Sequence, residues 1–226
     1  MITLEERTIY LSWQATDHSR RYIVAELMEK SSGEYSFRYI PGHDLEEAKN
    51  LGFNGYPAFP ELDKEYSLNA IDPFVMRLPA RSRADFIDLL NYWEIKNSDI
   101  SDFDLLAITG GKLRTDNFEF IDPHKVKRPN QFLTELAGFV YHAEDHKLRS
   151  IPAGAELQLE REPDNRYDPY AVKVLYNGEQ IGYIKRVHSQ TIAEELDKGK
   201  TVKAQVKNFD VNGVVNSILL KISITE

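Results

Sequence analysis

The residues whose types and spacing could do chemistry lie between Arg161 and Arg186. Residues 161–172 read R-E-P-D-N-R-Y-D-P-Y-A-V, and residues 181–186 read I-G-Y-I-K-R. Tyr167 can stack on a nucleobase, a contact worth about 1–3 kcal/mol per base. Asp168 beside it can accept a hydrogen bond from a sugar hydroxyl but repels a phosphate. Lys185 and Arg186 can neutralise adjoining phosphates. Together these groups favour a strand end with a free hydroxyl over a continuous backbone. The same residues also read as a plain loop, since Pro163-Asp164-Asn165 is turn chemistry and Tyr167 could merely cover the end of a barrel. A third reading gives Asp164 and Asp168 acid–base work in a pocket, as in a magnesium-dependent nuclease.

Other chemistry finds less support. His142 and His146 are four apart, as a helix-borne metal pair would be, but the stretch lacks a helical hydrophobic period, so a solvated loop is expected and no metal site. Thr109-Gly110-Gly111-Lys112-Leu113 lacks both the upstream glycine and the following Ser or Thr of a phosphate loop, and reads as a helix end with a turn. Kinase catalytic signatures and a G-x-S-x-G elbow are missing. No enzyme activity and no cofactor are expected. With no cysteine, thiolate nucleophiles and Cys-type zinc sites are excluded.

The elements that must position the site follow from periodicity. In the first half, strands are expected at 9–12, 21–26, 34–39 and 117–121, with a polar turn at 17–19. Helices are expected at 45–49 capped by Asp44, from Ser82 or Arg83 to about Glu94, and at 99–108 closed by Gly110-Gly111. The aromatic and proline-rich stretch 55–60 reads as a loop, and the aromatics from Tyr56 to Tyr66 are expected at the surface. The second half is β-rich, with strands at 138–141, 156–161, 171–175, 180–184, 202–206 and 218–224, one helix at 189–198, and Asn177-Gly178 as the strongest hairpin turn. Short strands around one helix predict a small, partly open barrel.

The fold class expected is α+β, a mixed N-terminal domain (1–121) joined by a linker (122–131) to an OB-like barrel (132–226). Residues 1–128 hold 16 Lys+Arg against 22 Asp+Glu, net −6, and the remainder 12 against 14, net −2. Broad, non-specific phosphate binding is therefore excluded, and any nucleic-acid contact must be local. No stretch approaches the roughly twenty apolar residues of a membrane span, and a cytoplasmic protein without membrane contact is expected.

The second half resembles a HIRAN domain. The likeness is carried by Gly138-Phe139-Val140-Tyr141, residues 157–165 (L-Q-L-E-R-E-P-D-N), Tyr167-Asp168-Pro169-Tyr170-Ala171-Val172 and Gly182-Tyr183-Ile184-Lys185-Arg186. The resemblance implies an OB-like barrel that binds single-stranded DNA or DNA 3′ ends. By position, Tyr141 and Tyr167 would support terminal bases and Asp168 would accept from the 3′-hydroxyl. Tyr183, Lys185 and Arg186 would line the exit, with Phe209 a further stacking partner. Val140 stands where end-binding members carry an arginine, and the Tyr141-to-Ala153 connection is longer than theirs.

The first half is similar to the N-terminal subdomain of HipA-type toxin kinases, through Tyr35-Ser36-Phe37-Arg38-Tyr39, Ala58-Phe59-Pro60, Asp72-Pro73-Phe74, Ser82-Arg83 and Thr115-Asp116. No kinase core follows. The resemblance implies a regulatory module coupled to the barrel. An alternative function is an antitoxin-like module that binds and restrains a separately encoded HipA-like kinase.

Overall fold

The computed structural model describes residues 6–15, 21–113, 115–122 and 131–225, without the side chains of Val187 and Asn212. The expected turn at 17–19 and most of the expected linker lie outside the described residues. The chain divides into two compact units between residues 123 and 124.

The first unit contains β1 (Arg7–Gln14), β2 (Arg21–Glu29), β3 (Tyr35–Tyr39), α1 (His43–Asn50), α2 (Asp72–Val75), α3 (Phe86–Tyr92), α4 (Asp102–Thr109) and β4 (Phe118–Ile121). Its four strands form an antiparallel sheet in the order β3-β2-β1-β4. Alternation along the strands sends Ile9, Leu11, Leu27 and Phe37 into the core. The stretch expected to expose aromatics does the reverse: Tyr56 and Phe59 are 8% and 5% exposed. Phe59 stacks on Phe37 with ring centroids 4.6 Å apart, and Tyr56 meets Phe74 at 4.7 Å. Rings of that size contribute more by burial than any loop contributes by staying outside. Tyr66 bonds the edge of β3 through both backbone groups of Phe37, at 2.7 and 2.8 Å.

Two other expectations are corrected here. Asp44 does not cap α1, whose N-cap is Gly42; its carboxylate instead accepts the Ile23 N–H at 2.9 Å, tying the helix to β2. The helix expected from Ser82 or Arg83 begins only at Phe86, the residues before it forming turns in which the Arg83 N–H donates to the Ala80 carbonyl (3.0 Å) and the Phe86 N–H to the Arg83 carbonyl (3.2 Å). Asp116 has a structural role, receiving both guanidinium nitrogens of the buried Arg77 at 2.6 and 2.8 Å.

The second unit contains β5 (Gln131–Ala137), α5 (Phe139–His142), α6 (Asp145–Ser150), β6 (Glu156–Arg161), β7 (Val172–Tyr176), β8 (Glu179–Ile184), α7 (Arg186–Asp197), β9 (Thr201–Asn212) and β10 (Val214–Thr225). The strands close into a barrel in the order β10-β5-β8-β7-β6-β9, so the α+β class holds and the barrel is closed, not partly open. Closure depends on a short contact between β5 and β8, where Leu136 pairs with Ile184 and Ala137 with Tyr183. Gly182 permits it: a Cβ there would sit 2.6 Å from the Ala137 carbonyl oxygen. Asn177 (φ 51°) and Gly178 (φ 81°) make the β7–β8 turn, as their tolerance of positive φ predicts. The interior is filled by Phe132, Val172, Val174, Ile218, Leu220 and Ile222, and α7 adds Ile192 and Ala193.

Residues 138–141, expected as a strand, are not one. The strand is β5 before them, and Gly138, at φ 69°, turns the chain into the single helical turn α5. His142 and His146 consequently lie on different helices.

Candidate nucleic-acid interface

The loop from Glu162 to Ala171 joins β6 to β7 and is pinned from several sides. Asn165 makes a local turn, its Oδ1 accepting the N–H groups of Tyr167 (3.0 Å) and Asp168 (3.2 Å). Its Nδ2 donates to Glu162 at 2.6 Å. Glu162 also accepts the Tyr183 hydroxyl at 2.9 Å and pairs with Lys173 at 2.9 Å. The bond from Asn165, then Lys173, and further the Tyr183 hydroxyl, hold the Glu162 carboxyl below the usual carboxylate range. From β6, Arg161 donates to the carbonyls of Pro169 (3.4 Å) and Ala171 (3.1 Å) and pairs with Asp197 of α7 at 3.1 Å.

Asp168 belongs to this scaffold. Its Oδ1 accepts the Tyr170 N–H at 2.9 Å, and its Oδ2 accepts from the hydroxyl of Ser189 on α7 at 2.8 Å. Ser189 is buried, so the contact fastens the loop to the helix. Tyr167 is left outward, 67% exposed, with the Arg166 guanidinium carbon 4.4 Å from its ring centroid.

The other expected site residues divide by environment. Tyr141, on α5, is 77% exposed, and its neighbour Val140 is 66% exposed. Tyr183, on β8, is half-buried, bonded to Glu162 and packed edge-on against His142 at 5.2 Å. A chain of contacts thus runs from α5 through His142, Tyr183, Glu162 and Asn165 to the backbone of Tyr167. Lys185 is not an open cation: it pairs with Glu135 at 2.7 Å, the two side chains 19% and 18% exposed. Arg186 is half-buried at the start of α7. Phe209, on β9, is partly buried against the barrel core, which limits the ring face it can offer.

Sequence reasoning placed Arg161, Glu162 and Arg166 in the stretch of interest without a role for any of them, and missed Ser189. The turn at Asn165 was legible, but contacts between positions 21 to 36 residues apart, such as Asp168 with Ser189 and Arg161 with Asp197, leave no local signal. Beside the site, a cleft of about 540 Å³ runs between α5, α6 and the β9–β10 tip, lined by Phe139, Val140, Tyr141, Leu148 and Val214 among others. Asp145 fixes its far wall by accepting the Val215 N–H at 2.6 Å, and Arg149 bonds the Gly213 carbonyl. Among the described residues no three His, Asp or Glu side chains gather as a metal site needs. No helix of the described residues is long and apolar enough to cross a membrane.

Comparison with known proteins places a family on this half of the chain. Residues 130–224 match the model of the HIRAN domain. Among solved structures, the HIRAN domain of human HLTF is similar at 23% identity and a TM-score of 0.36, covering 42% of this chain and 74% of that one. A protein from Lactobacillus plantarum is similar at 24% identity and a TM-score of 0.35, covering 40% of this chain and 91% of that one. None of the curated proteins matches the chain.

Proposed function

We propose that this chain, with a HIRAN domain as its second unit, binds single-stranded DNA or DNA ends on the face that carries Tyr141 and Tyr167. The observation that carries the reading is Tyr167: a ring 67% exposed on a loop whose backbone is already fixed by Asn165, Asp168 and Arg161. An aromatic platform ordered before binding gives up little conformational freedom when a base stacks on it. Tyr183 and Asp168 hold the platform, while Arg186 lies where the chain leaves β8 for α7 and provides positive charge, the charge of Lys185 being met by Glu135.

Fluorescence anisotropy of a labelled single strand at low salt tests this. Tyr167→Ala should weaken binding roughly 5- to 150-fold, the equivalent of about 1–3 kcal/mol of stacking, with an unchanged melting temperature because the ring is exposed. A wild-type protein that leaves the labelled strand free at low salt would sink the reading. A docking role for the first unit toward a HipA-like kinase is not carried forward: of the aromatics from Tyr56 to Tyr66 expected at the surface, Tyr56 and Phe59 are core residues, and the family match lies in the second unit.

A further inference from the structure

We infer that a cleft beside the edge of β3 docks a short, lysine-bearing segment of extended polypeptide from a partner protein, which pairs with the strand through its backbone. The site lies in the first unit and does not depend on the strand-binding role proposed for the second. β3 is the outer strand of its sheet. Ile40 donates its N–H to the Val24 carbonyl at 3.0 Å, while the outward backbone groups of Phe37 are taken by Tyr66 at 2.7 and 2.8 Å. Alternation along the strand therefore turns the N–H and carbonyl of Tyr39 away from β2 as well. The Phe37–Tyr66 bridge is isolated, and the next pair in its register, Tyr39 with Lys64, is not made. Among the described residues neither backbone group of Tyr39 has a hydrogen-bond partner. Its side chain is committed to the core, the hydroxyl accepting the Tyr56 N–H at 2.8 Å.

Where the two segments part they leave a cleft of about 410 Å³, with Arg38, Tyr39 and Pro41 on one lip and Leu62, Asp63 and Glu65 on the other. One residue of extended chain takes roughly 3.3 × 4.8 × 10 Å, so the cleft holds about three. A strand that offers unpaired backbone beside such a space is a template for another strand. Charge selects the occupant. Arg38 is met by Glu26 at 2.5 Å and Lys64 by Glu61 at 2.9 Å. Asp63, in contrast, is exposed and has no ion-pair partner among the described residues, and Glu65 reaches Lys30 only at 3.8 Å. Residues 1–123 hold 13 Lys+Arg against 22 Asp+Glu, so the field around the cleft repels an acidic segment and draws a cationic one.

The test uses the isotope-labelled full chain and three end-blocked heptapeptides followed by NMR. One alternates valine and lysine, one carries glutamate in place of lysine, and one repeats the first with alternate backbone nitrogens methylated, so that an edge cannot donate. Each is titrated to about 2 mM, enough to fill most of a millimolar site. The lysine peptide should move the amide resonances of Tyr39 and Lys64, slow hydrogen exchange at Tyr39, and bind about fivefold more tightly than the glutamate peptide. Methylation should weaken it about tenfold through the lost backbone bonds. Asp63→Lys, at an exposed position, should leave the fold intact and narrow the preference for lysine about threefold. Binding that methylation leaves unweakened means charge attraction without strand pairing and overturns the inference. A Tyr39 amide that stays unmoved at the highest peptide concentration does the same, as does a preference that Asp63→Lys leaves unchanged. If the free protein sediments as a dimer with the Tyr39 N–H already protected, the edge belongs to a second copy of this chain and the lysine-bearing partner is overturned. None of these outcomes bears on strand binding by the second unit.

Discussion

Asp168 illustrates how a side chain's neighbours change its chemistry. Next to an exposed tyrosine, a carboxylate suggests an acceptor for ligand; in the folded chain it receives the Tyr170 N–H and the buried Ser189 hydroxyl. Asp168→Ala removes the acceptor of the Tyr170 N–H and the tie to α7, while the Ser189 hydroxyl keeps the Arg186 carbonyl at 2.8 Å, so the loss should be about 0.5–1.5 kcal/mol. For a unit of this size the melting temperature should fall by roughly 4–8 °C per kcal/mol. Asp168→Asn, which keeps one acceptor oxygen in place, should lose less. Calorimetry of the three proteins decides the matter, and an Asp168→Ala protein that melts like wild type would show the carboxylate to be no anchor. Binding of the variants must be compared at a temperature where all are folded, because a loosened loop and a lost ligand contact both weaken affinity. Tyr167 is the opposite case: its ring is mostly open to solvent, so its removal should register in binding and not in stability.

At the scale of elements, the barrel is most sensitive where β5 meets β8. A Cβ on Gly182 would press to 2.6 Å of the Ala137 carbonyl oxygen and 2.9 Å of Leu136 Cγ, and the backbone atom cannot swing away. Gly182→Ala should therefore cost about 3 kcal/mol by overpacking and loosen Tyr183, the next residue, together with its bond to Glu162. Gly178→Ala is the control: no atom lies within 4 Å of its added Cβ, so only the positive φ penalises it, by about 1–2 kcal/mol. Thermal melts of the two variants separate close approach from backbone conformation; equal losses would mean the β5–β8 seam has room to adjust. The one-turn α5 follows from the same economy, since Gly138 redirects the chain at the end of β5 and sets Tyr141 outside the barrel.

For the whole molecule, each unit has its own buried cluster, one built on aromatic rings and one on the aliphatic interior of the barrel. Separately expressed, residues 124–226 should melt cooperatively and retain strand binding. At low salt they should bind at least as tightly as the full chain, because the residues removed, 1–123, hold 13 Lys+Arg against 22 Asp+Glu, a net charge of −9 that repels phosphate at a distance. Strand binding that follows the first unit would reverse the assignment. The match to the HIRAN domain model spans residues 130–224, so the function proposed for the chain is argued from this unit.

The sequence by itself determined the elements whose causes are local. Asn177-Gly178 announced its hairpin, strict alternation announced β3, and the helical spacing of Ile192 and Leu196 announced α7, because each depends on φ preference or side-chain period within a few residues. It also announced the turn at residues 163–165, since Asn165 bonds its own near neighbours and leaves Tyr167 beyond it. Only the tertiary structure decided what covers each side chain. Lys185 meets Glu135 across fifty positions, Asp168 meets Ser189 across twenty-one, and the proline-broken stretch around Tyr56 and Phe59 folds inward onto Phe37 and Phe74. Periodicity states which way a residue points from its own strand or helix; whether water, a carboxylate or another ring stands there depends on chain segments far away in sequence.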